Sequence, residues 1–144
     1  MENTQLVLKY TMLCDDVRIE MGNKISLMGI FQNIMVDQLP VSIIKFAVLN
    51  HWEGIGRYET EVRILSPDKA NLVVTSQGNT IELAPGSFAD NVSFFVNAVF
   101  PVAGTYWVQV LVNDELVSEV PLIVTDQENM NSVMAAEEVS ETIN

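Results

Sequence analysis

In the run RYETEVRILS (57–66), Tyr58, Thr60, Val62 and Ile64 fall on one side and Arg57, Glu59, Glu61 and Arg63 on the other. Successive side chains of an extended strand point to opposite faces, so this period of two specifies a strand with one face on a core and one in water. Such a strand belongs in an antiparallel sheet, with cross-strand charge pairs available on its wet face.

The same pattern recurs along the chain at intervals of about 8–12 residues, as strands do in an all-β sandwich. QLVLKYTML (5–13) and VRIEM (17–21) come first, and a Gly22-Asn23 hairpin turn leads into KISLMGIFQNIMV (24–36). Gly and Asn tolerate the positive φ of a tight turn. Gly29, inside an otherwise strong strand, predicts a bulge or a close backbone approach. After Pro40, SIIKFAVLNHW (42–52) forms a fourth run, and Glu53-Gly54-Ile55-Gly56 reads as the turn into 57–66. Ser66-Pro67-Asp68-Lys69 is a β-turn with Pro at its favoured position. LVVTS (72–76) and TIELA (80–84) flank a turn at Gly78-Asn79, and Pro85-Gly86 ends the second of them. NVSFFVNAVF (91–100) is followed by TYWVQVLV (105–112) and LVSEVPLIV (116–124), the last two a hairpin around Asn113-Asp114-Glu115. No helical period is sustained through residue 125, so no βαβ unit and no internal repeat is expected. The fold expected is all-β: a single antiparallel β-sandwich, immunoglobulin-like, with about 7–9 strands over residues 1–125.

Residues 126–144, DQENMNSVMAAEEVSETIN, carry five acids and no base. Met130, Val133, Met134 and Val139 fall at roughly helical spacing. The two readings are a short helix docked on the sandwich and a solvated acidic tail.

Composition narrows the function classes. Seven Lys+Arg against 19 Asp+Glu give a formal charge of −12 and no basic cluster. Phosphate backbones and anionic membranes are repelled by such a surface, so neither nucleic acid nor membrane is an expected partner. A basic protein partner remains compatible. The N-terminal MENTQLVLKY lacks the basic segment and apolar run of a secretory signal, and no run approaches the ~20 residues of a membrane span. One cysteine forms no internal disulfide, which fits a reducing cytoplasm. The sequon Asn91-Val92-Ser93 is then without consequence, because glycosylation needs a secretory route. At 144 residues and 49% hydrophobic composition, the chain can build a sizeable single core.

Standard catalytic signatures are absent. Gly54-Ile55-Gly56 is too short for a dinucleotide fingerprint and opens no helix. Nucleophile-elbow, phosphate-loop and zinc-protease motifs are missing. One His and one Cys make a poor zinc donor set. No catalytic residue, cofactor or metal is therefore assigned.

Four features stand out as candidate functional or structural residues. Cys14 is followed by Asp15 and Asp16, whose charges would raise a thiol pKa rather than lower it, so it reads as a buried structural cysteine. Asp15 and Asp16 could supply oxygens to Ca²⁺ together with Asp37, Asp68, Asp90 and Asp114, all expected in loops. No loop carries a dense Asp-x-Asp pattern. The competing reading has Asp15 or Asp16 accepting backbone N–H bonds while Arg18 pairs with a carboxylate. Trp52 alternates in phase with Phe46 and Val48 and reads as core, leaving His51 and Glu53 to point the other way and line a small pocket. In Gly104-Thr105-Tyr106-Trp107, Tyr106 resembles the tyrosine corner of immunoglobulin-type sandwiches. Trp107, out of phase with it, is an interface candidate.

Leu13-Cys14-Asp15-Asp16-Val17-Arg18, the Gly-Asn-Lys turn and Ser26-Leu27-Met28-Gly29-Ile30-Phe31 resemble the opening of a group of uncharacterised bacterial proteins. Leu65-Ser66-Pro67-Asp68, Pro101-x-x-Gly104-x-Tyr106 and Val120-Pro121-Leu122 extend the resemblance over roughly residues 7–125. That group is a domain of unknown function, so the resemblance implies a bacterial, all-β, immunoglobulin-like protein and no activity. The leading expectation is a non-enzymatic module that binds a protein partner or self-associates as a homo-oligomer. The alternative is a Ca²⁺ or small-molecule module built on Asp15 and Asp16.

Overall fold

The computed structural model describes residues 5–128, and every extended element among them is a strand. In chain order these are β1 (Leu6–Ile19), β2 (Ile25–Phe31), β3 (Asn33–Val36), β4 (Val41–Leu65), β5 (Leu72–Thr75), β6 (Asn79–Phe100), β7 (Gly104–Val112) and β8 (Glu115–Asp126). The helix-or-tail question concerns residues 126–144, of which 129–144 lie outside the described residues.

The fold is all-β, and the sheet is mixed rather than purely antiparallel. Its main path runs β2-β1-β4-β7-β8-β3, with β5 and β6 also paired to β4. β3 lies parallel to β8, Asn33 opposite Ile123 and Val36 opposite Asp126. A strand of four residues carries no directional signal of its own. Its orientation follows from the route of the chain back from β2.

The strand that organises the molecule is β4, and it departs most from the expected punctuation. Glu53-Gly54-Ile55-Gly56 is no turn, because the chain runs extended through it from Val41 to Leu65. Gly54 and Gly56 take φ of 145° and 118°, a region that side chains disfavour. A Cβ at Gly54 would also strike the carbonyl of Gln5. β6 follows the same side of β4 throughout, and its pairing shifts register between Gly54 and Gly56. Ala84-Pro85-Gly86 is the bulge that absorbs that shift inside β6, where the sequence suggested a strand end. The other side of β4 is shared: β1 pairs with Ala47–Gly54 and β7 with Thr60–Leu65. The sheet therefore curls at the two glycines.

One core fills the curl. Phe46, Val48 and Trp52 from the first half of β4 pack in the same cluster as Val62 and Ile64 from the second. Phe46 lies within 6.4 Å of the rings of Phe31, Phe95 and Phe100, and Phe100 meets Tyr106 edge-on at 5.0 Å. The Tyr106 hydroxyl donates to the Val102 carbonyl at 2.7 Å, tying down the turn that precedes β7. Burial raises the pKa of that hydroxyl, so it stays a neutral donor. No helix among the described residues is long and apolar enough to cross a membrane.

Several sequence expectations hold in detail. Gly22 and Asn23 both take positive φ in the β1–β2 hairpin, as do Asn113 and Asp114 between β7 and β8. Gly29 is not a bulge, because the β1–β2 register runs unbroken past it. It is the close approach instead: at φ 69° its bare Cα lies under the Asp15 carboxyl, where a Cβ would collide. The expected charge pairs on the wet face of 57–66 are replaced by hydrogen bonds to neutral side chains. Thr80 donates to Glu59 at 2.8 Å, Thr75 to Glu61 at 3.0 Å, and Arg63 donates to Gln109 at 2.8 Å.

Candidate functional site

The two outer faces of the curled sheet differ in chemistry. Beyond Gly56 the outer face is a polar ladder. Arg63 bonds Gln109, Gln109 donates to Glu119 at 2.6 Å, and Lys69 donates to Glu119 at 2.9 Å. Those two donors hold the Glu119 carboxyl below its ordinary value. Trp107 sits at the same end, half-buried rather than open. Its indole N–H reaches the Pro67 carbonyl at 3.4 Å, and Lys69 Nζ lies 4.8 Å from the centre of its ring.

Before Gly54 the outer face is apolar and aromatic. Residues paired across strands point to the same side, so the register defines its rows. Ile30, Cys14, Ala47 and Phe94 form one row; Met12, Leu49 and Val92 form the next. Tyr10, His51 and Asp90 follow, and Glu53 pairs with Phe88 beyond them. Cys14, Ala47 and Leu49 are buried although they lie outside the core, because larger neighbours close over them. Outward side chains of β6 are open to water: Phe88 and Val96 are 63% exposed and Phe94 48%. Two bases reach this face: Lys45 lies 5.2 Å from the Phe94 ring centre and 3.0 Å from Asp16, and Lys9 lies 4.0 Å from Glu53.

His51 is the centre of this face. Its ring is parallel to Tyr10 at 4.8 Å, with Phe88 on another side at 5.3 Å. Nδ1 is 2.7 Å from Asp90 Oδ1, and Nε2 is 3.5 Å from Glu53 Oε2. His51 and Glu53 do come together, as their shared phase in the sequence suggested. Tyr10 and Phe88 complete the cluster and were missed, because only the registers of β1 and β6 against β4 bring them there. Asp90, expected in a loop as a Ca²⁺ oxygen donor, lies instead within β6 and bonds His51.

The Cys14–Arg18 stretch does not join His51. Ala47, the partner of Cys14, stands four residues from His51 along β4, about 13 Å at strand spacing. Burial pushes the Cys14 thiol up, and the Asp15 charge adds to it, so no thiolate nucleophile is prepared. Asp15 and Asp16 lie on opposite faces of β1. Asp15 covers Gly29, while Asp16 accepts from Lys45 and from the Val17 N–H at 2.9 Å. Those two donors, with Arg18 adding a smaller attraction, hold Asp16 below the usual carboxylate value. Asp68 accepts from Ser66 and from the Ala70 N–H within its own turn. Two carboxylates on opposite faces provide no common cation site. Among the described residues, no three His, Cys, Asp or Glu side chains converge as metal donors.

Residues 9–125 match the model of a family of unknown function, DUF6941. The chain belongs to that family. Most of β1 and all of β2 to β7 lie inside the DUF6941 match, and so does every residue of the His51 cluster. No curated protein matches the chain. Among solved structures, it is similar to part of the Pseudomonas fluorescens alkylpurine DNA glycosylase AlkC bound to DNA containing an abasic site analogue. Identity there is 9% with a TM-score of 0.50, over 83% of this chain and 30% of that one. A β-glucosidase from Listeria innocua in complex with gluconolactone is similar at 10% identity and a TM-score of 0.45, over 80% of this chain and 16% of the enzyme. At such identity the first likeness concerns the fold alone, and the second is too distant to bear on fold or function.

Proposed function

We propose that this DUF6941 chain is a non-enzymatic, immunoglobulin-like β-sandwich module that binds a protein partner or a second copy of itself. The observation that carries the reading is the apolar outer face around Phe88, Phe94 and Val96, set in a chain of formal charge −12. Soluble surfaces rarely expose contiguous apolar patches, and large ones mark interaction sites. Aromatic anchors with few charges are also the composition of interface cores. The sandwich reading is supported by the single core shared between the two halves of β4 and by the Tyr106 hydroxyl bond to Val102. An acidic chain with its one thiol buried fits a bacterial cytoplasmic setting, away from nucleic acid and membrane.

The test is association of the purified full chain. Size exclusion with light scattering should give an assembly larger than the monomer, or an affinity pull-down should return a specific protein. Phe88→Ala should weaken either one while leaving the circular dichroism spectrum unchanged. A lone monomer that captures nothing would remove the reading.

A further inference from the structure

We propose that the free edge of β6, over residues 91–96, is where a second copy of this chain docks, the two β6 strands pairing antiparallel about a two-fold axis. This rests on the binding-module reading and names its partner.

A sheet edge presents unpaired N–H and C=O groups, and proteins ordinarily blunt such edges with short strands, kinks, Lys or Pro. The other free edges here are blunted, β1 over residues 6–12 by Lys9 and the bulge between Leu8 and Tyr10, and β8 over residues 115–122 by Glu115, Glu119 and Pro121. β3 and β5 are four residues each, and β2 is interrupted by Gly29 at φ 69° with the Asp15 carboxyl over it. β6 is 22 residues long, and among the described strands it pairs with β4 alone. Its residues 91–99, NVSFFVNAV, hold no Lys, no Pro and no charge. Its outward side chains Phe94, Val96 and Val99 are all about half exposed or more. Positive φ at Asn97 ends the regular stretch, which places the pairing before it.

Charge selects the occupant. Two copies of a chain of charge −12 repel each other, and an isologous contact sets each residue against its own counterpart or a near neighbour. The contact must then use a surface without charge. The longest uncharged run of the sequence starts at Asn91 and ends at Asn113. Asp90, at its border, is already bonded to His51, and Lys45 to Asp16. A basic partner would be drawn to acids, and this edge offers none. Pairing the two edges would join the β2-β1-β4-β6 halves into one continuous sheet and bring both copies of Phe94 and Val96 together on its outer face.

Sedimentation of the full chain across a concentration series, with hydrogen exchange at each end of it, decides the matter. The expected result is a dimer at micromolar concentration whose amides at 91–96 gain protection as concentration rises, while those of β2 do not. Val96→Lys should weaken association about tenfold or more, by setting like charges across the axis. Leu72→Lys, on β5, should leave association unchanged. A dimer indifferent to Val96→Lys and without added protection in β6 would overturn the proposal. A monomer at high micromolar concentration would overturn it too. If that monomer binds a purified partner and loses it with Val96→Lys, the module reading stands and only the second copy falls; a monomer that binds nothing removes both. A chain lacking residues 129–144 that dimerises where the full chain does not would assign the edge to that segment and likewise overturn the proposal.

Discussion

The imidazole of His51 lies flat against the phenol ring of Tyr10, with 4.8 Å between centroids and 4° between planes. β1 and β4 bring the two rings together across a non-local pairing, so the stack reports whether that pairing is intact. A double-mutant cycle of Tyr10→Ala and His51→Ala should give a coupling of about 1 kcal/mol in denaturant unfolding. Simple additivity of the two changes would mean that the rings lie together without attracting.

Gly29→Ala should be among the more damaging single-methyl additions. The new Cβ meets the Asp15 carboxyl, and φ of 69° is unfavourable for any L-residue with a side chain. The expected loss is about 2–3 kcal/mol of unfolding free energy. Asp15→Ala in the same chain should restore only part of it, because it relieves the collision and leaves the backbone strain. Full restoration would assign the whole effect to the carboxyl.

Acid should destabilise the chain through Asp16, Asp68 and Glu119. Each is held below its ordinary value by donors present only in the fold: Lys45 for Asp16, Ser66 for Asp68, Gln109 for Glu119. As pH falls, the unfolded chain takes up these protons first, so unfolding gains and stability drops. The contribution is complete above the unfolded carboxylate values and disappears as pH passes down through the lower folded ones. Urea midpoints measured from neutral pH into that range should fall, and fall less steeply for the triple variant Asp16→Asn, Asp68→Asn, Glu119→Gln. Salt should weaken the Asp16–Lys45 share at neutral pH, since both side chains are about half exposed.

Millimolar Ca²⁺ should leave the thermal midpoint where it is. Asp15 and Asp16 face opposite sides of β1, and Asp16 and Asp68 already accept hydrogen bonds. A cation bound only by the native state would raise the midpoint. A clear rise, abolished by Asp15→Asn, would place a site where none of the geometry gathers oxygens.

How much of this was legible in the sequence depends on the range over which each feature is decided. The alternation of 57–66, the two positive-φ turns at Gly22-Asn23 and Asn113-Asp114, and the inward Trp52 are local, and periodicity or turn chemistry specified them. Gly54-Ile55-Gly56 misled because two glycines ordinarily mark a chain reversal. Here β6 runs beside β4 both before and after them, so the chain bends its sheet instead of turning back. The direction of β3 could not be read from four residues. The His51 cluster was half legible: phase along one strand paired His51 with Glu53, whereas Tyr10, Phe88 and Asp90 arrive through registers that no single segment encodes.

The single long strand β4 also has a consequence for the order in which the protein is made. Of its four partners, only β1 precedes it in the chain; β5, β6 and β7 all follow. A ribosome therefore releases Phe46, Val48, Val62 and Ile64 well before Val108 and Val110 exist to cover them. During that interval the nascent chain holds its future core open, with an apolar strand and no ladder along most of it. Closure waits on β7, so the dependence of the nascent chain on chaperones should be greatest while β7 is still inside the exit tunnel.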